Sequence, residues 1–461
     1  MRIGPLLLLL PLAAFADTQT EKIDSLVNTE LSRSHTPGIS VAIVEHGKLM
    51  YSKGYGMANV EWSAPAGPDT VYELLSIAKQ FTSTAILMLA AEGKLALDDP
   101  VSKYLPGLPT EWNAVTVRHL LTHTSGIRDY TEVKGWRDSI RLDRTPQDLV
   151  KTTFGPLLFA PGAAWQYSNT NYYVLGLLIE KLSGVSYARF IADRIFVPLA
   201  MQSTLVNDPD AVIPHRAAGY HWDGTHLLNA PYISPTQKWA AGAVVSTADD
   251  LAKWAIALDT ASLLPRETLA QMVTPAKLSS GQEAHYGIGN ELDRDHGHLV
   301  AGHQGGGSAF NATFLRFPND ELTVIVLGNL TQTPSRPLAM RIAAIYLPDL
   351  SDATNRGIAD PDPALTATLR GVLASAAQGK TEPELFAPEV REKLMPFLQR
   401  MGPQFLGPLG ELKSFALLEI SEANGHVVRR YRATFAKGQS IVWTFELTKD
   451  GKVIGLEPKQ E

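Results

Sequence analysis

The chain has 461 residues, with 41 Lys and Arg against 47 Asp and Glu, for a formal net charge of −6. Charged residues make up only 19% and hydrophobic residues 45%, which excludes a broadly basic nucleic-acid binder and a mainly disordered chain, while the length is enough for two or three domains with cores of their own. The absence of cysteine removes disulfides, thiolate nucleophiles, Cys-type zinc sites, iron–sulfur clusters and lipoprotein acylation together.

Residues 1–16 read as a cleaved secretory signal. Arg2 gives a short positive start, Leu6 to Leu12 an apolar stretch too short to span a bilayer, and Ala14-Phe15-Ala16 an A-x-A cleavage pattern before Asp17. No later run reaches the about 18 apolar residues of a membrane span. The mature protein is therefore expected to be periplasmic or secreted, with no integral membrane segment.

Residues 19–36 predict a helix with apolar Ile23, Leu26, Val27 and Leu31. A hairpin is expected over 38–61, with Val41, Ile43 and Leu49 apolar and Glu45-His46-Gly47-Lys48 as the turn. A long helix follows from Ser76 to Glu92, with Gly93 placed for a left-handed C-terminal residue. From 100 to 240 the chain reads as helices and loops rich in Pro, Trp and Tyr. Thr247-Ala248-Asp249-Asp250 reads as a capping box opening another helix. Residues 309–330 predict a second hairpin around Pro318-Asn319-Asp320, with Phe310, Ala312, Phe314, Val324 and Val326 apolar, and 336–347 a closing helix. Strands at both ends and helices between them predict an α+β fold: an antiparallel sheet built from both ends of the unit, beside a helical insert.

A Pro- and Asp-rich break over 348–363 reads as a linker, assigned to 351–363. Beyond it Leu365, Leu369, Val372, Leu373 and Ala376 keep helical spacing, and 384–401 predict more helix, broken near Pro396. Asn424-Gly425, Lys437-Gly438 and Asp450-Gly451 are hairpin turn signals. Val427, Tyr431, Ala433 and Phe435 are assigned to one face, Ile441, Trp443, Phe445 and Leu447 to another. Residues 364–461 are thus expected to be a small α+β domain, cystatin- or NTF2-like, read as a packing accessory rather than a lid or partner-binding module.

The chemistry is carried by three short motifs. Ser76-Ile77-Ala78-Lys79 puts a hydroxyl and an amine one turn apart on one helix face. A serine needs a base to become a nucleophile, and a desolvated lysine can be that base. An isolated S-x-x-K reads as a cap serine and a surface lysine, but here two further motifs follow. Tyr167-Ser168-Asn169 supplies a phenol able to act as acid or base and an amide able to hold both the lysine and a substrate carbonyl. His303-Gln304-Gly305-Gly306 precedes the second hairpin as an edge strand would, with glycines that let a substrate approach. The N–H groups of Ser76 and Gly306 form a candidate oxyanion hole.

The order and spacing of these motifs, with His119-Leu120-Leu121-Thr122-His123-Thr124-Ser125-Gly126 and Gly302-His303-Gln304-Gly305-Gly306, resemble the serine hydrolases that include class C β-lactamases and the penicillin-binding DD-peptidases. The resemblance covers about residues 20–347 of a hydrolase domain assigned to 17–350. It implies a β-lactamase/transpeptidase-like fold, with an antiparallel sheet flanked by helices and an all-helical subdomain. It also implies Ser76 as the acyl-forming nucleophile, Lys79 and Tyr167 as the acid/base pair, and Asn169, His303, Gly305 and Gly306 as substrate-positioning residues. The implied substrate is a small molecule or peptide with an ester, amide or β-lactam carbonyl, and the chemistry calls for no metal and no cofactor. His303 stands where class C β-lactamases carry Lys, and Gln304 where a hydroxyl helps bind a substrate carboxylate; esters and neutral amides remain open.

The rival reading is a non-hydrolytic penicillin-binding or sensor protein on the same fold. Intact Tyr167 and Asn169 argue against it, since a dead site has no chemical need for them. His296, His298, Asp293 and Asp295 read as a solvated hairpin rather than a metal cluster. His119 and His123 lack the H-E-x-x-H pattern and read as structural. Nothing in the sequence fixes an oligomeric state.

Overall fold

The computed structural model describes residues 12–307, 309–350, 358–423, 426–436 and 439–460. The chain divides into two compact units, with the boundary between Ile345 and Tyr346. Residues 1–11 of the expected signal and 351–357 of the expected linker lie outside the described residues.

In the first unit, strands β1 (Gly38–Glu45), β2 (Lys48–Asn59), β3 (Ala64–Pro65), β4 (Glu291–Asp295), β5 (His298–Gly306), β6 (Asn311–Phe317) and β7 (Leu322–Gly328) form one antiparallel sheet. Its order is β3-β2-β1-β7-β6-β5-β4, so the two ends of the unit meet where β1 pairs with β7, with Val41 opposite Val326. The longer helices are α1 (Leu12–Ser34), α2 (Ala78–Ala91), α3 (Asn169–Ser183), α4 (Ala248–Thr260) and α5 (Ser335–Tyr346). Strand β1 reads as a nearly continuous apolar run because both its faces are covered. Ala42 and Val44 join a core that also holds Phe81 of α2, Val174 of α3 and Leu251 of α4. Val41 and Ile43, equally buried, point to the opposite face, and α1, with Ile23 and Val27 buried, packs on β1 and β2. The same core continues through Trp112, Leu120 and Tyr173 of the helical region, so sheet and helical insert share one interior.

Both expected hairpins are present. His46 and Gly47 make the first turn with φ of 50° and 68°, the paired left-handed geometry of a two-residue hairpin loop. Gly93 has the expected left-handed φ of 70° just past α2. The capping box at Thr247 is only half formed. The Thr247 side chain accepts from the Asp250 N–H, but the Asp250 carboxylate binds Ser203, Thr204 and Lys253 instead of reaching back.

The second unit carries helices α6 (Pro363–Ala376) and α7 (Pro388–Phe405) and strands β8 (Leu412–Ala423), β9 (His426–Phe435), β10 (Ser440–Leu447) and β11 (Val453–Gln460). The strands form an antiparallel meander in that order. Two expectations are corrected here. Helix α7 runs through Pro396 unbroken, because Leu398 and Leu394 pack into the core and that burial outweighs the hydrogen bond lost at the proline. The two apolar rows of β9 and β10 share one face rather than opposite ones. Tyr431 lies opposite Trp443 and Ala433 opposite Ile441, and directly paired residues point to the same side. Of the three turn signals, Asn424-Gly425 and Lys437-Gly438 lie outside the described residues; Gly451 has φ of 81°.

Candidate active site

Ser76 sits in a tight 3-10 turn, Leu75–Ile77, and α2 begins only at Ala78. The expected helix therefore starts two residues later, and the nucleophile candidate stands at its mouth. The preceding Leu75 has φ of 51°, a left-handed conformation that is unfavourable for a branched side chain. Residues Ala78 to Leu89 of α2 are all buried, polar ones included, and each polar side chain is satisfied by a partner. Gln80 bonds Asn290 and Trp254, and Thr82 bonds the Ala240 carbonyl. A helix so enclosed leaves no room for the reading of Lys79 as a surface lysine.

Lys79 is fully buried. Its Nζ donates to Ser76 Oγ at 3.0 Å, Asn169 Oδ1 at 2.9 Å and the Ala241 carbonyl at 2.8 Å. Burial pulls its pKa down from 10.5 to about 7, against the opposing pull of Asp129 and Glu291. The three contacts also suit the neutral amine. Its two N–H groups serve Asn169 and Ala241, and its lone pair then faces the Ser76 hydroxyl.

Tyr167 and Asn169 flank Ser168, which is extended (φ −147°, ψ 116°), so their side chains emerge on the same side. The Tyr167 hydroxyl donates to Ser76 Oγ at 2.7 Å. Burial pushes the Tyr167 pKa well above its ordinary value, and the Ser76 hydrogen bond offsets this in part. The phenol therefore stays protonated and is a donor at rest. Asn169 opens α3, and Asp129 fixes its amide: Asp129 Oδ2 accepts from the Asn169 backbone N–H at 2.9 Å and from Nδ2 at 2.8 Å. The amide oxygen is thereby turned to Lys79.

The third motif is placed differently from the expectation. The pairing of β5 with β4 ends at Gly302 opposite Glu291, so His303 to Gly306 continue beyond β4 with that edge open, while the other edge pairs with β6. Gly306 borders a cavity of about 410 Å³ together with Ser76 and Asn169. Gly305 faces the nucleophile turn. A Cβ there would stand 2.1 Å from the Leu74 carbonyl oxygen, so its glycine serves close packing of strand on turn. His303 is buried and absent from the cavity wall. Its Nε2 meets the Tyr286 hydroxyl at 2.9 Å and its Nδ1 the Gln304 carbonyl at 2.7 Å. Burial holds its pKa below the ordinary value despite Glu291 nearby. The structure thus brings Ser76, Lys79, Tyr167 and Asn169 into direct hydrogen-bond contact, with Gly306 on the same cavity, the His303 ring centroid 6.2 Å from that of Tyr167, and Gly305 packed on the nucleophile turn.

Sequence reasoning missed several contributors. Asp129 has no motif around it. The Ala241 carbonyl is a backbone group, invisible to residue patterns. His123, read as structural, packs against Tyr167 with ring centroids 4.3 Å apart and planes tilted by 34°, and its Nδ1 accepts from the Ser168 N–H at 3.1 Å. His119 does fill a structural role: Thr116 and His119 cap each other across a helix start. His296 pairs with Asp295 and His298 with Asp320, and among the described residues no cluster of three or more His, Asp or Glu is placed to hold a metal ion. Among those residues, too, no helix is long and apolar enough to cross a membrane.

The family model described as Beta-lactamase matches residues 23–347. The chain is 31% identical over 342 residues to penicillin-binding protein 4* of Bacillus subtilis (strain 168), covering 69% of this chain and 73% of that protein. Among solved structures it is similar to the octameric penicillin-binding protein homologue from Pyrococcus abyssi, at TM-score 0.65 and 26% identity over 96% of this chain and 98% of that one. It is also similar to a D-stereospecific amidohydrolase from Streptomyces sp., at TM-score 0.60 and 28% identity over 73% of this chain and 99% of that one. A serine held between a buried lysine and a protonated tyrosine is the chemistry of acyl transfer, and the match over residues 23–347 gives it a lineage: the chain belongs to the Beta-lactamase family and is a serine hydrolase.

Proposed function

We propose that the protein is an exported acyl hydrolase in which Ser76 attacks an ester, amide or lactam carbonyl and forms an acyl intermediate. The observation that carries this reading is the double hydrogen bond on Ser76 Oγ, from Lys79 at 3.0 Å and Tyr167 at 2.7 Å. With a pKa of about 7, Lys79 is substantially neutral at physiological pH and takes the Ser76 proton as Oγ attacks. Tyr167 gives its proton to the leaving oxygen or nitrogen, and the lysine proton passes on to the phenolate, so neither charge accumulates. In deacylation a water enters from the cavity, loses its proton to the same pair as its oxygen attacks the acyl carbon, and the pair returns that proton to Ser76 Oγ as the C–Oγ bond breaks and the acid is released. The N–H groups of Ser76 and Gly306 are proposed as the oxyanion hole, and Asn169 as the holder of Lys79 and of the substrate carbonyl.

Export is supported by Arg2, the apolar run to Leu12 and the Ala14-Phe15-Ala16 pattern, and places the enzyme in the periplasm or medium. A mature N-terminus at Asp17 in secreted material is the expected result; full-length protein retained in the cytoplasm would refute it. Residues 364–461 are proposed as an accessory domain that stabilises rather than catalyses.

The catalytic proposal is tested with p-nitrophenyl butyrate. The mature protein releases p-nitrophenolate and Ser76→Ala does not; equal release by both would overturn it.

A further inference from the structure

The cavity above Ser76 is mostly apolar, walled by Leu75, Tyr130, Trp136, Tyr232, Ile233 and Phe310. Three charged side chains border it: Glu73, Arg216 and Lys238. Glu73 and Lys238 are largely buried and joined at 2.5 Å, so they neutralise each other. Arg216 approaches the same carboxylate only to 3.7 Å, an ion pair too long for a hydrogen bond, and its side chain is 38% exposed. Two cations share one anion, so the wall carries one positive charge in excess. A guanidinium has five N–H donors in a fixed fork, a shape that fits a carboxylate with two parallel bonds.

The third motif offers no competing anchor. His303 is buried with both ring nitrogens engaged, and the Gln304 side chain donates to Asn311 Oδ1 at 3.1 Å. Among the described residues that line the cavity, Arg216 is thus the group best placed to meet an anion.

We propose that Arg216 is a specificity residue that holds a free carboxylate of the substrate, remote from the scissile carbonyl, with the apolar wall taking the segment between. This rests on Ser76 being the nucleophile. The preferred substrates are therefore monoanionic esters or amides, such as acyl groups or leaving groups that end in a carboxylate. It makes Arg216, rather than a side chain of the third motif, the site of carboxylate recognition.

Three esters separate the possibilities: neutral p-nitrophenyl butyrate, mono-p-nitrophenyl glutarate with the anion on the acyl side, and 3-(butyryloxy)benzoate with the anion on the leaving group. The wild type is expected to favour at least one anionic ester over the neutral one. Arg216→Gln lowers that preference by about tenfold or more, through KM rather than kcat, and Arg216→Lys restores part of it. A preference ratio that Arg216→Gln leaves unchanged, or no preference in the wild type, overturns the proposal. Binding of glutarate and of 3-hydroxybenzoate, followed by intrinsic Trp fluorescence, gives a second reading that needs no turnover. Equal affinity of wild type and Arg216→Gln for both anions refutes the Arg216 site. Loss of hydrolysis of all three esters, with Arg216-dependent anion binding retained, refutes the catalytic reading and leaves the recognition site standing.

Discussion

Burying an amine without a carboxylate in contact has a measurable thermodynamic signature. In the unfolded chain Lys79 titrates near its ordinary 10.5; in the folded protein burial brings it to about 7. Between those values the unfolded state binds a proton that the folded state does not, so stability rises with pH from about 7 upward and levels off near 10.5. Below pH 7 both states are protonated and the full penalty applies. At about 1.4 kcal/mol per pH unit, the whole window is worth about 5 kcal/mol, and the stretch from pH 7 to 9 about 2 kcal/mol. Lys79→Met removes the titration. It also leaves Asn169 Oδ1 and the Ala241 carbonyl without their donor, a cost of about 1–3 kcal/mol each, but one that does not change with pH. The quantity to follow is therefore the difference in unfolding free energy between wild type and variant. Urea melts at pH 6, 7, 8 and 9, read by Trp fluorescence, report chiefly on the first unit, since Trp443 is the one tryptophan beyond it. The wild type should gain on the variant by about 2 kcal/mol between pH 7 and 9 and by less than about 0.5 kcal/mol between 6 and 7. Parallel pH dependences would refute the claim that Lys79 is held largely neutral.

The same group sets a rate profile. kcat/KM for a neutral ester should rise with pH through about 7, and Asp129→Asn, by removing a charge that raises the Lys79 pKa, should move the midpoint lower; a midpoint that stays or climbs contradicts the assignment. Lys79→Arg, always charged, should lower kcat/KM by about three orders of magnitude without a rise near neutrality. Tyr167→Phe should cost about 10²–10⁴-fold on an anilide and much less on a p-nitrophenyl ester, whose leaving group needs no proton; equal losses on both would remove Tyr167 from the role of acid. Gly305→Ala should destabilise the first unit by more than about 1 kcal/mol, because the new Cβ meets the Leu74 carbonyl oxygen; an unchanged melting temperature would show that strand and turn separate easily.

Much of this site is local in sequence and was legible there. The i, i+3 spacing of Ser76 and Lys79 and the alternation of Tyr167 and Asn169 both translate directly into side chains on one side. The two hairpins could be read because their turns and alternating strands are local too. What escaped is what the tertiary fold adds. Asp129 reaches Asn169 across 40 residues of chain and Ala241 reaches Lys79 across 162, and neither belongs to a pattern. His303 carries the right motif position, yet the sequence could not say that its ring nitrogens would be engaged by Tyr286 and the Gln304 carbonyl. The intrinsic effect of Pro396 predicts a break in the helix, and the core contacts of α7 outweigh it.

The central claim is that Ser76 becomes acylated. Intact-mass measurement after rapid acid quench with a p-nitrophenyl ester, followed by peptide mapping, tests it directly. The account requires a single acyl adduct on the peptide containing Ser76, decaying with time and absent from Ser76→Ala. An adduct on another residue, or turnover that survives Ser76→Ala, would contradict it.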